Sequence, residues 1–223
     1  TTDPEVAYGW SQIVGQQGQV RVDEIAAAVG WSRKRLWSRF RAQVGATPKH
    51  AARLVRGVLP LPGPGAGIAE ACVLVTGGLG ALGRQVAAWL VGRGAHPVLA
   101  CRHEPTEEDL AFVRQLGPSA RALAMDAADP AQVRGVLDRL RAEGAPVRGL
   151  VHAAGVLDDA LLADQDADRL ERVLAPKLAA WNLHQAADDL DFFVMFSSLG
   201  GLLGAAGQAN YAAANAFLDA LAA

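Results

Sequence analysis

The stretch Cys72-Val73-Leu74-Val75-Thr76-Gly77-Gly78-Leu79-Gly80-Ala81-Leu82-Gly83 decides the fold. Its first five residues are apolar or β-branched and read as a short buried strand; residues 82–91 then continue at helical spacing. Between them Gly77, Gly80 and Gly83 recur every third residue. In a strand–loop–helix unit such glycines allow a tight turn, close approach of the backbone to a pyrophosphate, and close packing of helix on strand, with the phosphates at the positive helix end. An ordinary glycine-rich turn is the plainer alternative, and it does not need that spacing. The loop therefore reads as dinucleotide-binding, with Thr76, Gly77, Gly78, Leu79, Gly80, Leu82 and Gly83 as candidate contacts.

Downstream the same alternation repeats. Apolar runs at 97–101, 121–125, 149–152 and 191–196 alternate with helical patterns at 106–116, 130–141, 166–187 and 206–222. Five strand–helix units of this kind imply an α/β, doubly wound, Rossmann-like parallel sheet covered on both faces. Ligands in such sheets bind at the carboxyl ends of the strands where the order reverses, which directs attention to the loops after strands one, four and five. After the second strand, Arg102 stands where an acidic residue would take the ribose hydroxyls of NAD; a cation there suits a 2′-phosphate and hence NADPH. A solvated loop arginine is the alternative. Asp126, closing the third strand, is placed to meet the adenine ring with Ala127, and Ala153, Ala154 and Gly155 follow the fourth strand on the cofactor side.

Upstream, Leu59-Pro60-Leu61-Pro62-Gly63-Pro64-Gly65-Ala66-Gly67 supports neither helix nor central strand and reads as a linker. The expected division is a helical domain over 1–57, a linker over 58–69 and the dinucleotide-binding domain over 70–223. Charge divides the same way: Thr1 to Gly57 carries nine Lys/Arg against four Asp/Glu, whereas Val58 to Ala223 carries twelve against nineteen. The basic part predicts helices over 6–16, 22–29, 32–41 and 48–56. In Asp23-Glu24-Ile25-Ala26-Ala27-Ala28-Val29-Gly30-Trp31-Ser32, small alanines permit close helix crossing, Gly30 suits a left-handed turn and Ser32 caps the next helix, a helix-turn-helix pattern. On a helical wheel Leu36 and Phe40 face inward with Ile25 and Val29, which turns Lys34, Trp37, Ser38 and Arg41 outward. Trp10 and Trp31 are expected in the core.

Composition narrows the class. The 223 residues are 51% hydrophobic and 20% charged, which excludes a disordered chain, and no apolar run approaches the ~18 residues of a membrane span. Thr1-Thr2-Asp3-Pro4-Glu5 lacks the basic and apolar regions of a signal peptide, so the expected location is cytoplasmic. Cys72 opens one strand and Cys101 closes its neighbour, so the two are expected as reduced thiols at opposite ends of the ladder. His152 and His184 have no second ligand at metal-binding spacing, and no metal is expected.

The carboxyl-terminal part is the most informative. Tyr211 and Asn215 lie four residues apart on one helix face, and Ser198, thirteen residues earlier at the end of the fifth strand, reaches the same point. With Val151-His152-Ala153-Ala154-Gly155 and the glycine loop, Phe196-Ser197-Ser198-Leu199-Gly200-Gly201 and Gly207-Gln208-Ala209-Asn210-Tyr211 resemble the short-chain dehydrogenase/reductases. More narrowly, Tyr211 and Asn215 with Lys177 in Leu174-Ala175-Pro176-Lys177 resemble the ketoreductase domain of modular polyketide synthases, in which Lys and Asn exchange places relative to ordinary short-chain reductases. The resemblance covers about residues 70–223. It implies NADPH-dependent reduction of a β-ketoacyl group on an acyl carrier protein, with Tyr211 as acid, Ser198 as oxyanion donor, Lys177 as electrostatic partner and Asn215 as orienter. The chemistry agrees: hydride delivery puts negative charge on a ketone oxygen, and a nearby ammonium favours ionisation of a phenol. Taken singly, Tyr211 could pack a helix, Ser197 or Ser198 could cap one, and Lys177 could be a surface cation.

Leu157-Asp158-Asp159 matches the signature of the B-type ketoreductases, and Leu203 stands where A-type members carry Trp, implying the D-configured 3-hydroxyacyl product. Two aspartates capping a helix are the plain alternative. Against the same family, the chain stops at Ala223 on the helix of Tyr211, before the last strands and the lid, and the stretch from Lys177 to Phe196 is about three residues short, which opens the alignment of Lys177 with Tyr211. Poor activity, instability or self-association is expected of such a truncated chain. Residues 23–40 with Gly45-Ala46-Thr47-Pro48-Lys49 resemble one helix-turn-helix unit of the AraC-type regulators. That likeness implies base contacts by Lys34, Trp37 and Ser38 and phosphate contacts by Arg33, Arg35 and Arg41. For residues 1–57 a small helical domain with a solvated arginine face is the plain alternative; for the whole chain the second reading is a DNA-binding regulator fragment with a vestigial or nucleotide-sensing reductase half, and the third is a non-catalytic chimaera with neither activity.

Overall fold

A computed structural model describes residues 3–16, 19–44, 47–49, 51–52 and 68–222, without the side chains of 202 and 203. The Pro/Gly segment expected to be a linker lies largely outside them. The chain divides into two compact units, within Thr1–Pro60 and Leu61–Ala222.

The larger unit is a five-stranded parallel sheet in the order β3-β2-β1-β4-β5. Its strands are β1 (Cys72–Thr76), β2 (His96–Cys101), β3 (Arg121–Ala124), β4 (Val147–His152) and β5 (Phe192–Met195). Alternate residues of β1 feed opposite faces, as a pleated strand buried on both sides requires. Leu74 packs with Val98, Leu150, Val133, Leu140, Ala179 and Leu183, under helices α6 (Pro130–Ala142) and α7 (Ala167–Ala186). Val73 and Val75 pack with Leu99, Ala87, Leu90 and Val113, under α4 (Ala81–Val91) and α5 (Glu107–Leu116). A short α8 (Gly200–Leu203) precedes α9 (Ala209–Leu221), which runs against α7.

The register fixes where a ligand can sit. Thr76 pairs with Ala100 and with His152, and His152 pairs with Met195, so these four residues form one row at the carboxyl edge. The order reverses between β1 and β4, which places the crevice beside the glycine loop. Cys72 and Cys101 are free thiols at opposite ends of the β1–β2 ladder, the second only half-buried.

Several boundaries differ from expectation, and three of them have a visible cause. The third strand stops at Ala124, because the Asp126 N–H turns to the Gln132 side chain at 2.9 Å. The fifth stops at Met195: Phe196 N–H still reaches the His152 carbonyl at 2.9 Å, but β4 ends there and Ser198 has no strand to pair with. The last helix begins at Ala209 rather than 206, because Gly204 and Gly207 both adopt positive φ, which a right-handed helix cannot propagate.

The smaller unit contains α1 (Pro4–Gly15), α2 (Val22–Ala28) and α3 (Arg33–Val44), with helical residues again at 48–49 and 51–52. Its core is Val6, Ile13, Ile25, Ala26, Leu36, Phe40, Ala51 and Ala52. Gly30 takes φ +66°, and Ser32 Oγ accepts from the Arg35 N–H at 3.2 Å, so the turn and cap form as the sequence suggested. Arg39 forks onto Asp3 at 2.7 and 2.8 Å and ties α3 to the start of α1. Trp10 departs from expectation and is 38% exposed. Gly9 is the residue facing Ile25 and Phe40, so its neighbour is rotated out to lie only partly against Phe40. Trp31 and Val29 are half-buried.

Candidate functional site

The glycine loop begins where β1 ends. Gly77 has φ +65°, and a Cβ on it would stand 2.8 Å from the backbone of Ala154, so only glycine lets the loops after β1 and β4 meet. A Cβ on Gly83 would lie 2.2 Å from the Gly77 carbonyl, which holds the first turn of α4 directly under the loop. Gly78 N–H donates to the Ala100 carbonyl at 3.2 Å, and Arg84 Nε donates to the Leu79 carbonyl at 2.9 Å. Gly80 is the N-cap and brings no side-chain cap. The first-turn N–H groups thus present a positive, uncapped end that fits a pyrophosphate. Thr76 is buried and its hydroxyl is engaged by His152, so it lies beneath the crevice rather than lining it. Leu82 is exposed on the first turn of α4.

The other expected cofactor residues ring the same edge. Arg102 is exposed after β2, with no hydrogen bond or ion pair among the described residues, and is available to an anion. Asp126 Oδ1 accepts from the Ala128 N–H at 3.0 Å, and the Ala127 carbonyl accepts from Asn182 of α7 at 3.0 Å, so this turn is held from two sides. Gly155 is exposed, and a Cβ there would sit 3.1 Å from Lys177 Cε.

Lys177, Phe196, Ser198, Tyr211 and Asn215 come together where α7, the loop after β5 and α9 meet. Lys177 is 4% exposed, and Nζ donates to the Phe196 carbonyl at 2.7 Å. Burial pushes its pKa below the ordinary lysine value. That carbonyl leads directly into Ser197 and Ser198. Ser198 Oγ accepts from the Gly200 N–H at 3.1 Å, which leaves its own proton to donate. A Cβ on Gly200 would stand 3.3 Å from Ser198 Oγ and 3.8 Å from the Tyr211 ring, so both flank this glycine. Ser197 Oγ is turned away and donates to the Asn215 carbonyl at 3.3 Å, which selects Ser198 for the site.

Asn215 is fully buried; its Nδ2 donates to the Tyr211 carbonyl one turn back at 2.8 Å, and its Oδ1 has no partner among the described residues. The hydrogen bond of Lys177 runs to Phe196 and not to Asn215 or Tyr211, which departs from the direct link expected of an orienting Asn. Below this corner lies His152, fully buried, with Nδ1 2.7 Å from Thr76 Oγ1. Burial, and then the charge of Lys177, push its pKa down to about 4, against the weaker opposing pull of the Pro176 carbonyl. The imidazole is neutral at ordinary pH, and Lys177 has no second cation beside it.

The loop after β4 is clamped. Asp158 receives Arg169 and Arg172 from α7, the latter through Nε at 2.8 Å and Nη2 at 2.6 Å. The Asp158 carbonyl accepts from Asn210 Nδ2 at 2.8 Å, Asp159 accepts from Gln208 Nε2 at 2.9 Å, and Ala160 N–H reaches the Gly207 carbonyl at 2.8 Å. Leu157 is left 62% exposed at the mouth of the site. These bonds correct the picture of two helix-capping aspartates: Asp166 caps α7, through the Arg169 N–H at 2.8 Å. The Leu203 side chain lies outside the described residues.

On α3, Leu36 and Phe40 are buried, while Lys34, Trp37, Ser38 and Arg41 are exposed. Arg33 pairs with Asp23 at 3.4 Å, and Arg35 lies 4.6 Å from the centre of the Trp31 ring, so two of the expected phosphate-holding arginines have partners within the unit.

Sequence reading passed over Arg84, Asp109, Arg169, Arg172, Gln208 and Asn210. A partial signal existed: Arg84 follows the third glycine directly, and Gln208 and Asn210 immediately precede Tyr211. Arg169 and Arg172 gave none, since their partner lies across a tertiary contact.

The KR domain family model matches residues 71–223. Lovastatin diketide synthase lovF of Aspergillus terreus is 46% identical over 152 residues, 67% of this chain and 6% of that protein. The spectinabilin polyketide synthase system protein NorB of Streptomyces orinoci is 50% identical over 177 residues, 75% of this chain and 8% of that protein. Among solved structures, the ketoreductase from the first module of phoslactomycin biosynthesis in Streptomyces sp. HK803 matches with TM-score 0.65 and 44% identity, covering 73% of this chain and 40% of that one. The chain thus spans less than a tenth of these curated relatives and two fifths of the solved domain.

Proposed function

Since the chain belongs to the KR domain family, we propose that it reduces a β-ketoacyl thioester, carried on an acyl carrier protein, to the 3-hydroxyacyl thioester with NADPH in polyketide assembly. The observation that carries the proposal is the corner in which buried Lys177 holds the Phe196 carbonyl while Ser198 and Tyr211 both flank Gly200.

The cofactor fits the residues present. Gly77, Gly78, Leu79, Gly80 and Gly83 form the cradle, Leu82 flanks it, Arg102 takes the 2′-phosphate, and Asp126, Ala127, Ala153, Ala154 and Gly155 border the remaining crevice. When bound, NADPH supplies the hydride. Ser198, whose oxygen already accepts from Gly200, donates a hydrogen bond to the substrate carbonyl oxygen and stabilises the growing negative charge. The Tyr211 hydroxyl delivers the proton that completes the alcohol. Lys177 stabilises the phenolate left behind, and its hydrogen bond to Phe196 keeps the ammonium at the base of the serine loop. Asn215 presents its free Oδ1 as an acceptor for a relay water on the way to Lys177. Leu157, Asp158 and Asp159 border the substrate entrance and, with Leu203 at the position where A-type members carry Trp, direct it to the B-type, D-configured product. The reductase domain is taken as residues 70–223, joined by residues 58–69 to the helical domain 1–57, and the site of action is the cytoplasm.

The test is incubation with NADPH and a β-ketoacyl N-acetylcysteamine thioester, with chiral chromatography of the product. A single 3-hydroxyacyl enantiomer supports the proposal; no alcohol from a folded chain that binds NADPH refutes it.

A DNA-binding role for residues 1–57 draws on one observation, the exposed row Lys34, Trp37, Ser38 and Arg41 beside buried Leu36 and Phe40. Retention on duplex DNA that falls steeply with salt would support it, and passage through at low salt would exclude it.

A further inference from the structure

We propose that Arg84 and Asp109 are positioning residues that fix the spacing between the glycine loop and the loop after β2, and thereby set the preference for NADPH over NADH. The inference rests on the NADPH reading above.

Arg84 follows Gly83 in the first turn of α4, and its guanidinium is held through Nε and Nη2. Nε donates to the Leu79 carbonyl at 2.9 Å, Nη2 donates to Asp109 Oδ1 at 2.8 Å, and the group lies 4.7 Å from the centre of the Phe112 ring. Through these bonds it acts on the loops it holds. Asp109, 7% exposed, uses its other oxygen to accept from Thr106 N–H at 3.0 Å and from Thr106 Oγ1 at 2.7 Å. The Thr106 hydroxyl in turn accepts from the Asp109 N–H at 3.3 Å, closing a capping box at the start of α5. Thr106 is the last residue of the segment that carries Arg102. A continuous path thus runs from Leu79, through Arg84 and Asp109, to Thr106. It is reinforced one residue earlier, where Gly78 N–H holds the Ala100 carbonyl.

Only the phosphorylated cofactor feels both ends of this path. NADPH spans the glycine loop with its pyrophosphate and Arg102 with its 2′-phosphate, whereas NADH engages the first and leaves the second empty. A change in spacing therefore weakens NADPH selectively. The planar fork of Arg satisfies an acceptor on each side, which the single ammonium of Lys cannot reproduce in that geometry.

The test measures Kd for NADPH and for NADH by calorimetry on the full chain and on Arg84→Lys, Arg84→Ala and Asp109→Asn, each checked for folding by circular dichroism. Loss of a charge-assisted contact of this kind is expected to raise the NADPH Kd about tenfold while the NADH Kd stays within about threefold. Arg84→Lys, which retains the pairing with Asp109, should fall between. If Arg84→Ala does not fold, the near-isosteric Asp109→Asn carries the comparison. Folded variants in which both constants move together, or neither moves, would overturn the positioning role while leaving the NADPH reading intact. A wild-type chain that binds NADPH no better than NADH would overturn both.

Discussion

His152 makes the stability of the sheet depend on pH in a way that can be isolated from the rest of the molecule. Its pKa is held at about 4, against 6.5 for the free side chain, by burial and by the charge of Lys177. The folded chain thus binds fewer protons than the unfolded chain wherever the free imidazole titrates, so stability is full above pH 6.5 and falls as the pH drops toward 4. The difference in pKa corresponds to a loss of about 3 kcal/mol once both states are protonated, and of about 2 kcal/mol between about pH 8 and about pH 5. Carboxylates contribute their own slopes, so the comparison is with His152→Asn, which removes the titrating ring and keeps a polar group for Thr76. Urea unfolding followed by circular dichroism across this range gives both curves. Wild type should be the more stable at high pH, and the gap should close by about 2 kcal/mol toward pH 5. A gap that stays constant within error would show that the imidazole is not held neutral by its surroundings.

Other consequences follow from close contacts. Gly77→Ala combines a left-handed backbone with a Cβ 2.8 Å from Ala154, so NADPH affinity measured by fluorescence should fall about tenfold or more. Gly155→Ala sets a methyl 3.1 Å from Lys177 Cε at the border of the cofactor crevice, and should lower kcat and raise the Kd of NADPH together. Asp158→Ala releases Arg169 and Arg172 and frees the loop carrying Leu157. Chiral analysis should show loss of enantiomeric purity, while the cost in stability is about 1 kcal/mol or less because the Arg172 partner is largely exposed.

Much of this arrangement could be read in advance, for identifiable reasons. The continuous apolar run 72–76 and the glycines that follow report a local strand–turn–helix, so the element and its neighbour were recoverable from short-range pattern alone. Tyr211 and Asn215 share a helix face by arithmetic. The ends of β3 and β5 were not recoverable, because each is set by what a neighbouring element offers: the Gln132 side chain of α6 in one case and the end of β4 in the other. Trp10 was misplaced because hydrophobicity argued for burial while the smaller Gly9 held the inward position. The bonds around Asp158, and the link from Arg84 to Asp109, join residues 11 to 52 positions apart, and no periodicity encodes them. Lys177 stands out in the sequence only through its motif; its burial and its bond to Phe196 depend on how α7 lies against the loop after β5.

The most direct test of the account is consumption of NADPH with a β-ketoacyl thioester by the wild-type chain beside Tyr211→Phe, with NADPH binding measured on both. The account predicts turnover in the wild type, its loss by roughly a hundredfold or more when the phenol is removed, and unchanged NADPH binding. Equal turnover in the two proteins would contradict it, since the proton would then come from a group other than Tyr211.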